Sequence, residues 1–134
     1  MDAGKIVLDS WSVLAFLGGE PKGEEVMDLV TRVTEGGGAL LMSVVNVGEV
    51  WYTIARRVSV EAADEDIEGL LKLGMQFIDA DWDLTRAAAA FKSRHRMSYA
   101  DAYAAALAKT YNAILVTGDP EFKPLAREVR IKFV

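Results

Sequence analysis

Short apolar runs at residues 5–8, 39–42, 75–78, 113–116 and 130–134 alternate with longer stretches whose apolar residues recur at three- and four-residue spacing. Runs this short, bounded by polar or turn residues, predict buried strands, and the periodic stretches predict amphipathic helices. A chain that alternates in this way must join its strands by crossovers. It is therefore expected to fold as a parallel α/β sheet with helices on both faces. Ligands in such folds bind beyond the carboxyl ends of the strands, so the residues just after each strand carry the functional reading.

Asp9 directly follows the first strand, and a helical pattern through Trp11, Leu14 and Leu17 ends at Gly18-Gly19. Pro21 opens a second helix, with Val26, Leu29, Val30 and Val33 at helical spacing before Gly36-Gly37-Gly38. Those glycines make a loop and no phosphate-binding fingerprint, since neither G-x-G-x-x-G nor G-x-x-x-x-G-K-[ST] is present. Ser43 closes the second strand and caps a helix with Val44, Val47, Val50, Trp51 and Ile54 toward the core. Asn46 and Glu49 lie on that helix, Glu49 in its first turns, and Arg56-Arg57 end it in favourable register with the helix dipole. Ser59 caps a further helix over residues 60–73. The D-x-D-x-D run Asp79, Asp81, Asp83 is not a calcium loop, because Leu84 and Ala90 stand where that loop needs glycine and glutamate. Asp83 instead is expected to cap a helix over 84–94. Ser98 and Asp101 form a capping box for the next helix. The fourth strand then breaks at Thr117-Gly118-Asp119-Pro120, ahead of a short helix over 121–127 and an edge strand.

The chain of 134 residues is expected to form a single domain, 1–134, with a real core. Apolar residues make up 51% and charged residues 26%, a globular composition, and the absence of cysteine removes disulfides and thiolate metal sites. The start, Met-Asp-Ala-Gly-Lys, is not a signal peptide, and no apolar run approaches the roughly 20 residues that span a bilayer. The expectation is a soluble cytoplasmic protein. A net charge of −5 argues against binding nucleic acid through a general basic surface, although a metal pocket with a few local cations can still hold phosphates.

Each of Asp9, Glu49, Asp101 and Asp119 has a local explanation as a cap or a first-turn acid. Together they do not. Carboxylates gathered on one edge of a sheet repel by about 4 kcal/mol per close pair at an effective dielectric near 20, unless a cation lies among them. Hard divalent cations take oxygen ligands, and Mg²⁺ with one or two carboxylates and several waters is the natural occupant.

The segments VLDSWSVLAFLGGEP, SVVNVGEVWY, MSYADAYAAALA and LVTGDPEF, in this order and spacing, resemble the PIN-domain ribonucleases, and among them the VapC-type toxins of type II toxin–antitoxin modules. The resemblance runs from Ile6 to the end. It implies a three-layer α/β/α PIN-like domain with a mainly parallel sheet of about five strands. It places an acidic metal site on Asp9, Glu49, Asp101 and Asp119, with Asn46, Ser98 and Thr117 in support. Asp9 and Asp101 become the expected innermost ligands, Asp119 a direct or water-mediated one, and Glu49 a ligand or an orienter of water. The activity implied is Mg²⁺- or Mn²⁺-dependent hydrolysis of RNA phosphodiesters. The partners implied are an RNA substrate, a VapB-like antitoxin laid over the apolar helices, and a second copy in a homodimer. Lys92, Arg94 and Arg96, just before the metal-bearing helix, are candidates for RNA phosphate contacts, with a solvated helix end as the plain alternative. The lone His95 in that run reads as a surface residue. Trp11, Phe16, Trp51 and Tyr52 read first as core, and second as antitoxin or dimer surface.

Three other readings compete. A phospho-acceptor receiver domain has an acidic pocket on a parallel sheet, but it wants two adjacent acids after the first strand, where Asp9 stands alone, and its lysine at a strand end, whereas Lys123 falls inside the last helix. A non-cutting PIN scaffold is opposed by retention of all the acids. A housekeeping RNA-processing nuclease differs from a toxin only in its setting.

Overall fold

A computed structural model describes residues 4–134; the first three positions, where the expected single domain begins, lie outside the described residues. The elements run β1 (Lys5–Leu8), α1 (Ser10–Leu17), α2 (Pro21–Glu35), β2 (Ala39–Ser43), α3 (Val44–Arg57), α4 (Val60–Lys72), β3 (Met75–Ile78), α5 (Trp82–Arg94), α6 (Tyr99–Thr110), β4 (Ile114–Thr117), a 3-10 helix (Pro120–Leu125) and β5 (Ile131–Phe133). The strands form one sheet in the order β3-β2-β1-β4-β5, and every pairing is parallel. The sheet is thus wholly parallel, where the sequence predicted a mainly parallel one.

Period-two alternation sends neighbouring strand residues to opposite faces. Ile6, Leu8, Leu40, Met42 and Val116 join α1–α4 in one apolar core. Val7, Leu41 and Leu115 join α5, α6 and the segment after Asp119 in the other. Burial on both faces explains why these strands are continuous apolar runs and do not alternate with polar residues. In α6 every residue from Ala102 to Ala108 is buried, and the small side chains let it lie close to the sheet.

Caps fix where the helices start. Asp9, Ser43, Ser59, Asp81, Ser98 and Asp119 each accept from a backbone N–H in the first turn that follows. Asp81, and not Asp83, caps α5: its Oδ1 accepts from Leu84 N at 2.9 Å, which puts Trp82 and Asp83 inside the helix. Glu49 is the sixth residue of α3, beyond the first turn where the sequence placed it. The segment expected as a helix over 121–127 is a 3-10 turn from Pro120, because Pro124 offers no N–H to continue an α-helix. Strand β4 begins one residue later than predicted and runs through Thr117, which therefore ends the strand and does not follow it.

Two glycines are required by close approach. A Cβ on Gly23 would run into the backbone of Ala15 and Phe16, so its absence allows α2 to lie against α1. A Cβ on Gly118 would overlap the ring of Trp11. Trp11 thereby covers the turn leading out of β4. Phe16 and Trp51 are half-buried against the α1–α4 core, Trp51 donating from Nε1 to Asp64 at 2.9 Å, whereas Tyr52 is exposed under the guanidinium of Arg56.

Candidate active site

Strands β1 and β4 are neighbours at the centre of the sheet, and the chain winds away from β1 toward β2 and β3 on one side and β4 and β5 on the other. This is the topological switch point, where a parallel sheet leaves a crevice at its carboxyl edge. Asp9 emerges from β1 there and Asp119 from β4.

Asp9 is buried, 1% exposed, with both oxygens occupied. Oδ1 accepts from Ser12 N at 2.9 Å and Oδ2 from Thr117 Oγ1 at 2.5 Å. Burial pushes its carboxyl up to about 6, the charge of Asp119 adds to this, and the hydrogen bonds from Thr117 and Ser12 oppose it. Thr117 Oγ1 also accepts from Asp119 N at 3.0 Å, so one hydroxyl sets both acids. Ser12 Oγ donates to Val116 O at 2.6 Å, fixing the start of α1 to the end of β4.

Asp101 sits in the first turn of α6, where Ser98 Oγ accepts from its N–H at 3.1 Å. Its carboxyl is also raised to about 6, by burial first and then by Asp119; the hydrogen bond with Ser98 opposes, and Asp9 and Glu49 add smaller repulsions. The four predicted acids therefore share one electrostatic environment. Glu49 is placed by Ser10 Oγ, which donates to its Oε1 at 2.6 Å, and by Asn46 Nδ2 at 3.4 Å. The same amide nitrogen donates to Ala100 O at 3.1 Å, linking α3 to the first turn of α6. Asn46 Oδ1 is buried with no hydrogen-bond partner among the described residues.

Carboxylate oxygens from Asp101, Asp119 and Glu121 lie within 4.8 Å of one another. Glu121 was missed in the sequence because an acid two residues past a capping aspartate reads as a dipole residue; the turn from Asp119, whose Oδ1 accepts Glu121 N at 2.9 Å, brings it back to the cluster. The donors are all oxygen and acidic, which suits a hard divalent cation, and the orphaned Asn46 Oδ1 is an acceptor awaiting a donor such as a water.

The basic run is placed differently. Lys92 Nζ donates to Met97 O at 2.8 Å, and Arg94 donates to Ala90 O at 3.1 Å and pairs with Glu128 at 2.7 Å. His95 Nε2 lies 2.6 Å from the other oxygen of Glu128, so this run ties the end of α5 to the segment before β5. Arg96 is exposed and has no charged partner among the described residues.

A family model described as the PIN domain matches residues 6–128, and the chain belongs to that family. Solved structures repeat the fold over 92–96% of the chain. VapBC2 from Rickettsia felis, bound to a DNA fragment from its promoter, superposes with a TM-score of 0.77 at 16% identity, covering 96% of this chain and 98% of that one. VapC20 from Mycobacterium tuberculosis, a sarcin-ricin loop cleaving toxin, gives 0.70 at 22% identity over 92% and 95%. FitAcB from Neisseria gonorrhoeae gives 0.72 at 23% identity over 96% of both chains. No curated protein sequence matches the chain significantly. No helix among the described residues is long and apolar enough to cross a membrane.

Proposed function

We propose that this PIN-domain protein is a divalent-metal-dependent endoribonuclease and the toxin of a VapBC-like pair. The observation that carries the reading is the convergence of Asp9, Glu49, Asp101, Asp119 and Glu121 at the switch point, with two carboxyls held near 6 by burial and mutual repulsion. Capping leaves that convergence unexplained. The likeness to VapBC complexes and to a toxin that cleaves the sarcin-ricin loop supports the choice of RNA as substrate.

Asp101, Asp119 and Glu121 would hold the cation, Mg²⁺ or Mn²⁺, and Asp9 would set its inner wall. The cation, when bound, would lower the pKa of a water and stabilise charge on the phosphate. The chain's own part is positioning. Thr117 holds Asp9 and the start of the Asp119 turn in one geometry, and Ser10 and Asn46 hold Glu49 where its free oxygen can orient a water or take its proton. Without a cation, the same carboxylates would repel an RNA phosphate. A VapB-like antitoxin would dock on the cleft between α1, α3 and α4, where Leu14, Leu17, Ile54 and Val58 give an apolar floor and Arg57 and Asp66 a charged rim. A homodimer and a cytoplasmic location accompany this reading.

The test is cleavage of a mixed RNA pool by the purified chain with Mg²⁺ or Mn²⁺, with EDTA, and with Asp101→Asn. Divalent-dependent cleavage lost in the variant is expected. Cleavage that persists in EDTA or in Asp101→Asn would overturn the reading, as would none under any condition. Co-purification with the product of an adjoining small reading frame separates a toxin from a processing enzyme.

A further inference from the structure

Among the aromatic side chains exposed at the carboxyl edge of the sheet, two stand at the first positions of neighbouring helices. Tyr99 is the first residue of α6 and 43% exposed, although the rest of that helix is the most buried in the molecule. Trp82 is the first residue of α5, just past β3, and 70% exposed. One hydrogen bond relates them: Thr85, one turn along α5 from Trp82, lies 2.7 Å from the hydroxyl of Tyr103, one turn along α6 from Tyr99. Tyr103 is buried, and the Tyr99 ring rests on it with centroids 5.1 Å apart and planes inclined at 52°. Tyr99 is thus a ring with one side packed on a fixed support and the remainder open to solvent.

We infer that Tyr99 and Trp82 form a stacking surface for unpaired bases of the RNA, one or two nucleotides from the bond that is cut. The inference rests on the nuclease reading and adds the two side chains that would hold the bases beside the cut. Tyr99 and Asp101 are two residues apart at the tip of one helix and face different sides of it, so a strand with a phosphate at the acids crosses the tip toward the ring. Unstacked bases are bound on aromatic side chains in this way, and a protein of net charge −5 needs such contacts more than a basic one does. Duplex bases are already stacked and would not reach the rings.

The experiment measures binding of a fluorescent single-stranded RNA oligonucleotide, and of the same strand in a duplex, with Ca²⁺ in place of Mg²⁺ to limit turnover. Wild type is expected to prefer the single strand. Tyr99→Ala and Trp82→Ala should each weaken that binding by about 5- to 150-fold, the range of losing one stacked base. Tyr99→Phe, which keeps the ring, should bind within about threefold of wild type on the same stacking argument. An abasic site at one position of the oligonucleotide should make wild type and Tyr99→Ala bind alike. Equal binding by wild type and both alanine variants would overturn the inference, as would variants that lose only self-association or antitoxin binding, which would make the rings a protein interface. If wild type cleaves and binds RNA while the ring variants match it, stacking alone has failed; if wild type neither cleaves nor binds, the nuclease reading has failed with it.

Discussion

Thr117 donates its hydroxyl to Asp9 across 108 positions of sequence, and this bond joins the carboxyl ends of the two central strands inside the acid pocket. Replacing Thr117 with Val keeps the shape and removes the donor. It leaves a buried carboxylate oxygen and the Asp119 N–H without their partner, at a cost of about 1–3 kcal/mol. Urea denaturation should show this loss, and Thr117→Ser should restore most of it. A valine variant as stable as wild type would show that the bond contributes nothing net.

Asp9 and Asp101 have carboxyls raised to about 6 from an ordinary 3.8. The native state therefore binds more protons than the unfolded chain between those values. Stability contributed by the protonated groups is present near pH 4 and is lost as pH rises through 6, the reverse of the usual salt-bridged aspartate. In EDTA, the melting temperature is expected to fall between about pH 4 and about pH 6, the ordinary and the raised values of these carboxyls. Glu128, held below its ordinary value by His95 and Arg94, acts in the opposite sense and at lower pH. Saturating Mn²⁺ should remove the fall, since a cation replaces the protons. A melting temperature that rises over this interval in EDTA would contradict the assignment.

Asp101→Asn relieves repulsion from Asp119, Asp9 and Glu49 without disturbing the backbone bond to Ser98. The metal-free variant should be as stable as wild type or more so at pH 7, and Mn²⁺ should raise its melting temperature much less. If Asp101 only capped α6, Asp101→Ala would cost about 0.5–2 kcal/mol with or without metal.

Glu121→Gln separates the fifth acid from the fold. Among the described residues no side chain hydrogen-bonds the Glu121 carboxylate, and the turn uses only its N–H. Unchanged stability in EDTA and several-fold weaker Mn²⁺ binding by calorimetry are expected. Unaltered affinity would place the ion away from the Asp101–Asp119–Glu121 cluster.

Gly118→Ala sets a Cβ against the Trp11 ring. The expected loss is about 1–3 kcal/mol from overpacking, together with weaker metal binding as the Asp119 turn is displaced. Pairing it with Trp11→Phe, which shrinks the ring, should recover part of both.

The alternation of apolar runs and helical spacing carried most of the fold to the page, because both-face burial leaves strands such as 39–42 with no polar residue to confuse them. The acids at 9 and 119 were legible for a related reason, since both follow strands and the carboxyl edge of a parallel sheet is where strand ends must fall, whereas 49 and 101 lie on helices and were legible only through the motifs around them. What was not legible depends on side-chain reach and turn shape. Asp81 and Asp83 are equivalent as caps until the backbone chooses. Lys92 and Arg94 read as phosphate contacts, yet they are engaged by Met97 O and Glu128, residues that spacing could not pair with them. Glu121 joins the cluster through the turn at Asp119, whose carboxylate accepts from the Glu121 N–H, a contact that spacing does not reveal.

The strand order also has a temporal meaning. β1 (Lys5–Leu8), at the centre of the sheet, is made well before its neighbour β4 (Ile114–Thr117). Until residues 114–121 have left the ribosome, Asp9 has no Thr117 and the cluster lacks Asp119 and Glu121. A chain cut before Thr117 therefore carries only Asp9, Glu49 and Asp101 of the pocket, with neither the hydroxyl that holds Asp9 nor the two acids that follow it.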